Sequence, residues 1–450
     1  MSKKSLSSRE PFVRCSFGGP ASLVRISIAL IVGLSFLLAA GSSFAQANKY
    51  SFSKRNQKKV SKVIVLLQTQ GTDEEVDAAR VLAIESLNNI NLKRAKPYGR
   101  ARIHQLLGTL AVQDDNFEEG LDHLVASLSE DAIQPELALS TQYQVGQLQT
   151  MLERYEEAVE TLEAWIMLVE TPSPSNYYTL AATYFQAATA AQERGDDARG
   201  AELLTKALDP AKKAIELSSE TPREAWYRLL LSLHLTKSEY VEALAVLDDV
   251  ILAYPNKSYW SQLAAIYSAL DHQDKSLAAQ LLAKDEGFVT EDRDVTRVAQ
   301  MFMVEGLPHR GAEIMQAGLD DGVIEPTKQA YQTYSDTLLQ SREWALAVDP
   351  LAKAAELNDD GSLFIRLAQV NIQLMRWGDA RDSINRAFDK GSLTDEGQAH
   401  LLFGIAAAND REWAQASAAF DRAAKHEGTA VTAIKWKQHV QREKARFGDN

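Results

Sequence analysis

The groups in this 450-residue chain that could do acid–base, nucleophilic or metal chemistry are eight histidines, one cysteine and 61 carboxylates. The histidines stand at 104, 123, 234, 272, 309, 400, 426 and 439. None has a second histidine three or four positions away, the spacing that sets two imidazoles on one helix face for a metal ion. No HExxH, GxxxxGK, GxSxG or GxGxxG string occurs, and Cys15 precedes a long apolar run. Acidic pairs such as Glu156-Glu157 open helical stretches, where the helix dipole favours carboxylates without any catalytic role. Asp320-Asp321-Gly322 and Asp359-Asp360-Gly361 lack the alternating oxygen ligands and terminal Glu of a calcium loop, and they read as turns. The expectation is no enzyme, no metal and no cofactor, which leaves binding to other molecules.

Composition limits the partners. With 48 Lys+Arg against 61 Asp+Glu the net charge is −13, which argues against nucleic acid, and 14 Phe, 14 Tyr and 7 Trp suffice for a sizeable core. Residues 1–47 differ from the rest. Lys3, Lys4, Arg9, Arg14 and Arg25 precede the apolar run Ile26–Ala40, and Ala45-Gln46-Ala47 follows with small residues at the −3 and −1 positions of a signal-peptidase site. An apolar run this short reads as a cleavable signal peptide cut after Ala47, with an uncleaved anchor as the alternative. Removing five cations and Glu10 leaves 43 Lys+Arg against 60 Asp+Glu, a charge of −17, and no cysteine. Such a chain suits an oxidising periplasm and has little attraction for anionic lipid.

From about Lys54 onward, amphipathic helical runs carry small residues at fixed intervals. One ladder is Gly108, Gly146, Ala181, Leu230, Ala264, Ala299, Ser335, Ala368 and Gly404, with a period near 35. A second is Gly120, Ala158, Gly200, Ala243, Ser276, Gly311, Ala347, Ala380 and Ala416, which follows the first by 12 residues in seven of nine cases. Two antiparallel helices approach closely only where facing side chains are small, so each pair of ladder positions marks a helical hairpin. Four positions after the second ladder stand Leu124, Leu162, Leu204, Leu247, Met315, Leu351, Ile384 and Phe420, with Gln280 the exception. Aromatics at Phe117, Tyr155, Tyr240, Trp344, Trp377 and Trp413 precede the second ladder by three and read as hairpin-turn packing rather than a ligand row.

This pattern resembles the tetratricopeptide repeat (TPR) family, most clearly at Trp260-x2-Leu263-Ala264-x2-Tyr267. The resemblance implies an all-α, right-handed α-solenoid of about nine TPR-like hairpins over residues 98–427. A degenerate helical pair (48–97) would precede it and a C-terminal capping helix and tail (428–450) would follow. Seven extra residues around Ala187, Ala188, Ala190 and Ala191 should lengthen the first helix of the third unit by two turns, without rotating its buried face. The stretch from Asp209-Pro210 to Pro222 should add a half-turn or a short helix. The cap's Lys435, Lys437, Arg442, Lys444 and Arg446 could serve solubility at a solenoid end or form a basic docking strip.

In this family the inner surface is built from first helices, so the resemblance implies a peptide-binding groove through Gln105, Tyr143, Gln147, Tyr178, Gln186, Tyr227, Gln300, Gln332 and Gln369. Amides pair with both donors and acceptors of an extended backbone, and tyrosines add flat area; the same glutamines are also good, soluble helix formers. The Lys and Asn set that captures a chaperone's C-terminal carboxylate occurs in no repeat. A narrower resemblance rests on Leu162-Glu163-Ala164-Trp165, Thr171-Pro172-Ser173-Pro174, Trp226-Tyr227-Arg228, Tyr254-Pro255-Asn256-Lys257 and Asp359-Asp360-Gly361-Ser362-Leu363. These strings are similar to a periplasmic subgroup encoded beside TonB, ExbB and ExbD. That similarity implies a non-enzymatic accessory of iron or siderophore uptake with protein partners. A general scaffold for peptidoglycan or outer-membrane assembly is the alternative.

Overall fold

The computed structural model describes residues 50–448. The expected leader, with Ala45 and Ala47, lies outside the described residues. Among the described residues the fold is all-α, 21 helices plus one 3-10 turn at Leu92–Arg94, with no strand. By its internal packing the chain divides into two compact units, one ending at Glu239 and one starting at Tyr240. The first unit holds α1 (Lys54–Leu67), α2 (Asp73–Asn88), α3 (Pro97–Gln113), α4 (Phe117–Ser129), α5 (Pro135–Met151), α6 (Tyr155–Leu168), α7 (Pro174–Glu193), α8 (Asp197–Glu216) and α9 (Glu224–Thr236). The second opens with α10 (Tyr240–Ala253), α11 (Lys257–Ala269), α12 (Gln273–Asp285), α13 (Asp292–Val304), α14 (Pro308–Asp320) and α15 (Lys328–Gln340). It continues with α16 (Trp344–Leu357), α17 (Ser362–Gln373), α18 (Trp377–Lys390), α19 (Glu396–Asn409), α20 (Trp413–Ala423) and α21 (Ala430–Phe447). No helix among the described residues is long and apolar enough to cross a membrane.

Local chemistry starts these helices where they start. Ser53 and Thr72 cap α1 and α2, the latter in a capping box with Glu75, and prolines occupy the first helical position of α3, α5, α7 and α14. The two ladders then meet. A Cβ on Gly108 would sit 2.8 Å from Leu124, one on Gly146 2.6 Å from Leu162, and one on Gly404 2.5 Å from Phe420. Each glycine of the first helix is the socket for the bulky residue four past the second small one. Ser276 closes its own hairpin by donating to the Ala264 carbonyl at 2.7 Å.

A third ladder, silent in composition, runs through the hairpin turns. The residue five before each second-ladder position lies at positive φ: Asp115, Glu153, Gly195, Ser238, Asp271, Gly306, Arg342, Met375 and Arg411. The next residue's N–H returns to a first-helix carbonyl, as Asn116 to Ala111 and Glu412 to Ala407, both at 2.8 Å. That is the six-to-one bond of a helix C-cap, which satisfies an otherwise orphaned carbonyl. Seven of the nine are not glycine, so each of those carries left-handed strain. Met375 (φ 57°) is 73% exposed and gains little from packing. Met375→Gly should therefore raise stability by up to about 1 kcal/mol in urea unfolding, the strain relieved outweighing glycine's unfolded-state entropy. A net loss would mean that the Met side chain contributes more than its exposure indicates.

The long unit departs from expectation in one respect. Helix α7 reaches 20 residues and keeps one buried face through Leu180, Ala181, Tyr184, Ala187, Ala188 and Ala191, but α8 also reaches 20 residues. The chain from Asp209 does not start a new half-turn or short helix; α8 runs through Pro210 to Glu216. Proline costs a helix one hydrogen bond and some crowding, and here burial of Ala207, Pro210, Ala211 and Ala214 on one stripe offsets that.

Candidate functional site

Within the first unit the first helices of successive hairpins are bonded to one another. Gln134, the N-cap of α5, donates through Nε2 to Tyr98 Oη of α3 (3.4 Å), Tyr143 Oη donates to Thr179 Oγ1 (2.9 Å) from α5 to α7, and the Thr150 and Thr183 hydroxyls meet at 3.2 Å. The candidate residues fall along this face unequally. The Tyr143 ring is half-buried and lies 4.5 Å from that of Trp165. Tyr178 is half-buried, 6.2 Å from the Trp226 ring, and burial pushes its phenol up, with Arg228 opposing. Gln105 is engaged locally, accepting from Arg102 Nη1 (2.9 Å) and donating to Thr109 Oγ1 (3.2 Å). Gln147 and Gln186 are half-buried, and the Gln186 Oε1 is enclosed without a hydrogen-bond donor. Tyr227 departs from the expected row: at 8% exposure its ring belongs to the core and offers no open surface.

In the second unit Gln300 and Gln369 are exposed and Gln332 is half-buried. Gln300 borders a shallow recess with Gln273, Arg297, Met301, Val304 and Glu305 at a hairpin-turn edge. Sequence marks Trp165 only within the string Leu162-Glu163-Ala164-Trp165; its place against Tyr143 has no sequence signal, because it lies on a second helix, outside the aromatic row. Its Nε1 donates to the Leu139 carbonyl at 2.8 Å, which locks the ring against Tyr143. The aromatic row itself varies: Phe117, Tyr155, Tyr240 and Trp377 are half-buried, Trp344 is 37% exposed and Trp413 is buried.

The chemistry-bearing groups resolve into structural pairs. Glu156 pairs with Arg199 at 2.6 Å, and Glu157 accepts from Gln149 at 3.4 Å. The Ser362 hydroxyl, then the Ser362 N–H at 2.8 Å, and Asn358 hydrogen-bond to Asp360 and hold its carboxyl below the usual range. His234 is buried with Nδ1 2.8 Å from Glu239. No group of three or more metal-type ligands occurs among the described residues. His104 and His123, 19 positions apart, are brought together across the α3–α4 hairpin with their Nδ1 atoms 2.9 Å apart. Burial, then the charge of His123, lowers the His104 pKa, with Glu130 opposing and Arg100 reinforcing.

A histidine with a depressed folded-state pKa binds fewer protons folded than unfolded. Its effect on stability vanishes above the unfolded value near 6.5 and grows as pH falls below it, so acid destabilises. Urea unfolding followed by circular dichroism should therefore show a lower midpoint at pH 5 than at pH 7, and His104→Phe should reduce that difference. An unchanged pH dependence in the variant would assign it to other groups.

No protein-family model matches the chain, and no curated protein does. The solved structures that it is similar to include tetratricopeptide repeat proteins. One is the crystal structure of YrrB, a TPR protein with an unusual peptide-binding site: 17% identity over 46% of this chain and 91% of that one, TM-score 0.33. Another is a tetratricopeptide repeat protein from Parabacteroides merdae ATCC 43184, at 14% identity over 58% and 98%, TM-score 0.30. A third is the APC/C hetero-tetramer Cut9-Hcn1, at 13% identity over 87% and 88%, TM-score 0.26.

Proposed function

We propose that this chain is a non-enzymatic, exported helical-repeat protein that grips an extended segment of a protein partner on the first-helix face of its first unit. In this reading it works in the periplasm as an accessory of TonB-dependent iron or siderophore uptake, touching the TonB–ExbB–ExbD machinery. One observation carries the binding proposal: α5 and α7 are hydrogen-bonded side by side and carry Tyr143, Gln147, Tyr178 and Gln186, all half-buried. Flat rings and two-way amides suit a peptide rich in backbone hydrogen-bonding groups and proline. The periplasmic and TonB parts rest on the leader-like first 47 residues and the sequence resemblance.

The test is binding of a purified Pro-rich periplasmic segment of a TonB-type protein. Affinity should change little with salt, and Tyr143→Ala and Tyr178→Ala should each weaken it by about 0.5–1.5 kcal/mol with helicity intact. The general-scaffold alternative draws on the acidic surface, −17 once residues 1–47 are removed, and a basic partner. In that case binding would fall steeply with ionic strength and ignore both tyrosines. Failure to recover any TonB-type component would remove the iron-uptake assignment.

A further inference from the structure

Net charge gives this chain little attraction for an anionic surface, but the fold does not spread its charge evenly. Helix α1 contains Lys54, Arg55, Lys58, Lys59 and Lys62 and no carboxylate. At roughly 3.6 residues per turn, Lys54, Arg55, Lys58 and Lys62 fall within one arc of about 100°, opposite the buried Asn56, Val60 and Val63. All four are exposed, and Val65, at 67% exposure, lies in the same arc. Lys59 is turned aside: its Nζ donates to the Asn89 carbonyl at 2.9 Å, which ties α1 to the end of α2.

The segment after α2 adds to this end of the hairpin. Lys93, Arg94 and Lys96 are exposed, and Lys96 Nζ reaches Ser51 Oγ at 3.1 Å, just ahead of the α1 cap at Ser53. The Phe52 ring, 5.1 Å from that of Tyr98, packs between them. The acids stand at the other end. Asp73, Glu74 and Glu75 open α2, about 20 Å along α1 from Lys54, which is roughly twice the screening length at physiological salt. Glu75 closes the Thr72 cap, and Asp77 pairs with Arg80 at 3.4 Å. Among the described residues, no ion pair joins any of these exposed cations to a carboxylate.

This placement works against the helix that bears it. Lys54 and Arg55 sit in the first turn, where the dipole favours carboxylates, and Lys54, Lys58 and Lys62 repel one another at four-residue spacing. Solubility of a terminal hairpin needs a polar face of either sign. A run of one sign that breaks the local rules of its own helix calls for a counter-charge from outside.

We propose that this face docks α1 on an anionic bilayer surface, with the cations on lipid phosphates and Val65 turned to the headgroup layer. The chain itself indicates the occupant: the apolar run Ile26–Ala40 ends 14 positions before Lys54, so the stretch leading into α1 is the one read as meeting a bilayer during export. Even fully extended, that stretch reaches at most about 50 Å. None of the groove residues on α5 and α7 belongs to this face, so the two readings can fail independently.

The test is flotation of the processed chain, Asn48 to Asn450, with vesicles of phosphatidylcholine alone and with about 30 mol% phosphatidylglycerol. Binding to the anionic vesicles should be at least about tenfold tighter at low salt and should fall to the neutral level by about 0.5 M salt. Lys54→Gln, Lys58→Gln and Lys62→Gln together should weaken it at least about tenfold. Removing three charges from the other basic helix, by Lys435→Gln, Arg442→Gln and Lys444→Gln, should change it less than about twofold. The α1 variant should unfold in urea at the same midpoint or a higher one, because repulsion along the helix is relieved. A lower midpoint would mean that the lysines hold an intramolecular partner, which overturns the proposal. Equal losses in the two triple variants would reduce the effect to diffuse charge, and equal binding of the two vesicle types would remove it. Tighter binding, per charge, to soluble polyglutamate than to the vesicles would overturn the choice of occupant in favour of an acidic protein.

Discussion

Gly404→Ala is expected to destabilise the second unit by about 1–3 kcal/mol, although alanine is ordinarily the better helix residue. The added Cβ would lie 2.5–2.8 Å from three ring atoms of Phe420. That ring is fully buried and stacked on Trp436, so it has no room to retreat. Gly311→Ala should act alike, because there the obstacle is the Ala299 carbonyl oxygen at 2.7 Å. Gly378, in the first turn of α18 with nothing within 4 Å of its would-be Cβ, is the control. Gly378→Ala should stabilise by up to about 0.5 kcal/mol, the interior helix difference reduced in a first turn. Urea unfolding of the three variants reads out the contrast in sign; a shared sign would refute the view that the small-residue ladder exists for close helix approach.

Phe364→Ala should cost about 3–5 kcal/mol, the largest single loss expected in the molecule. The ring is 1% exposed, packed among Leu351, Ala354, Leu367 and Ala387, with the Arg386 guanidinium 4.3 Å from its centre. It belongs to α17 and fills space against α16 and α18, so its removal leaves a cavity that three helices border. Phe364→Leu, which retains most of the volume, should lose less than about 1.5 kcal/mol. If the alanine variant lost under about 1 kcal/mol, the neighbouring hairpins would have to collapse onto the gap, and the array would be softer than its packing indicates.

Much of the architecture was legible because its cause is periodic. Small residues recur near every 35 positions since hairpins need close crossings, and bulky residues recur four later since each crossing needs a knob; these facts sit in residue types and spacing alone. The all-α class and the stacking of Gly146 on Leu162 or Gly404 on Phe420 follow directly. Other features have no such trace. The left-handed turn residues occupy one fixed place but are Asp, Glu, Ser, Arg and Met as well as Gly, because the six-to-one hydrogen bond that holds them belongs to the backbone. Pro210 reads as a break in sequence, yet burial of its stripe keeps α8 whole.

The candidate binding surfaces divide in the same way. Tyr143 and Tyr227 look equivalent by position, and only the structure separates a half-buried ring against Trp165 from a core residue. His104 and His123 lie 19 positions apart, a distance that carries no signal until an antiparallel hairpin brings their nitrogens to 2.9 Å. Sequence by itself determined the hairpin period, the close-packed crossings and the acidic character, since each is a property of residue types in order. Which rings are open and which polar atoms lack partners were decided only by tertiary structure, because burial and pairing depend on what other segments bring to the same place.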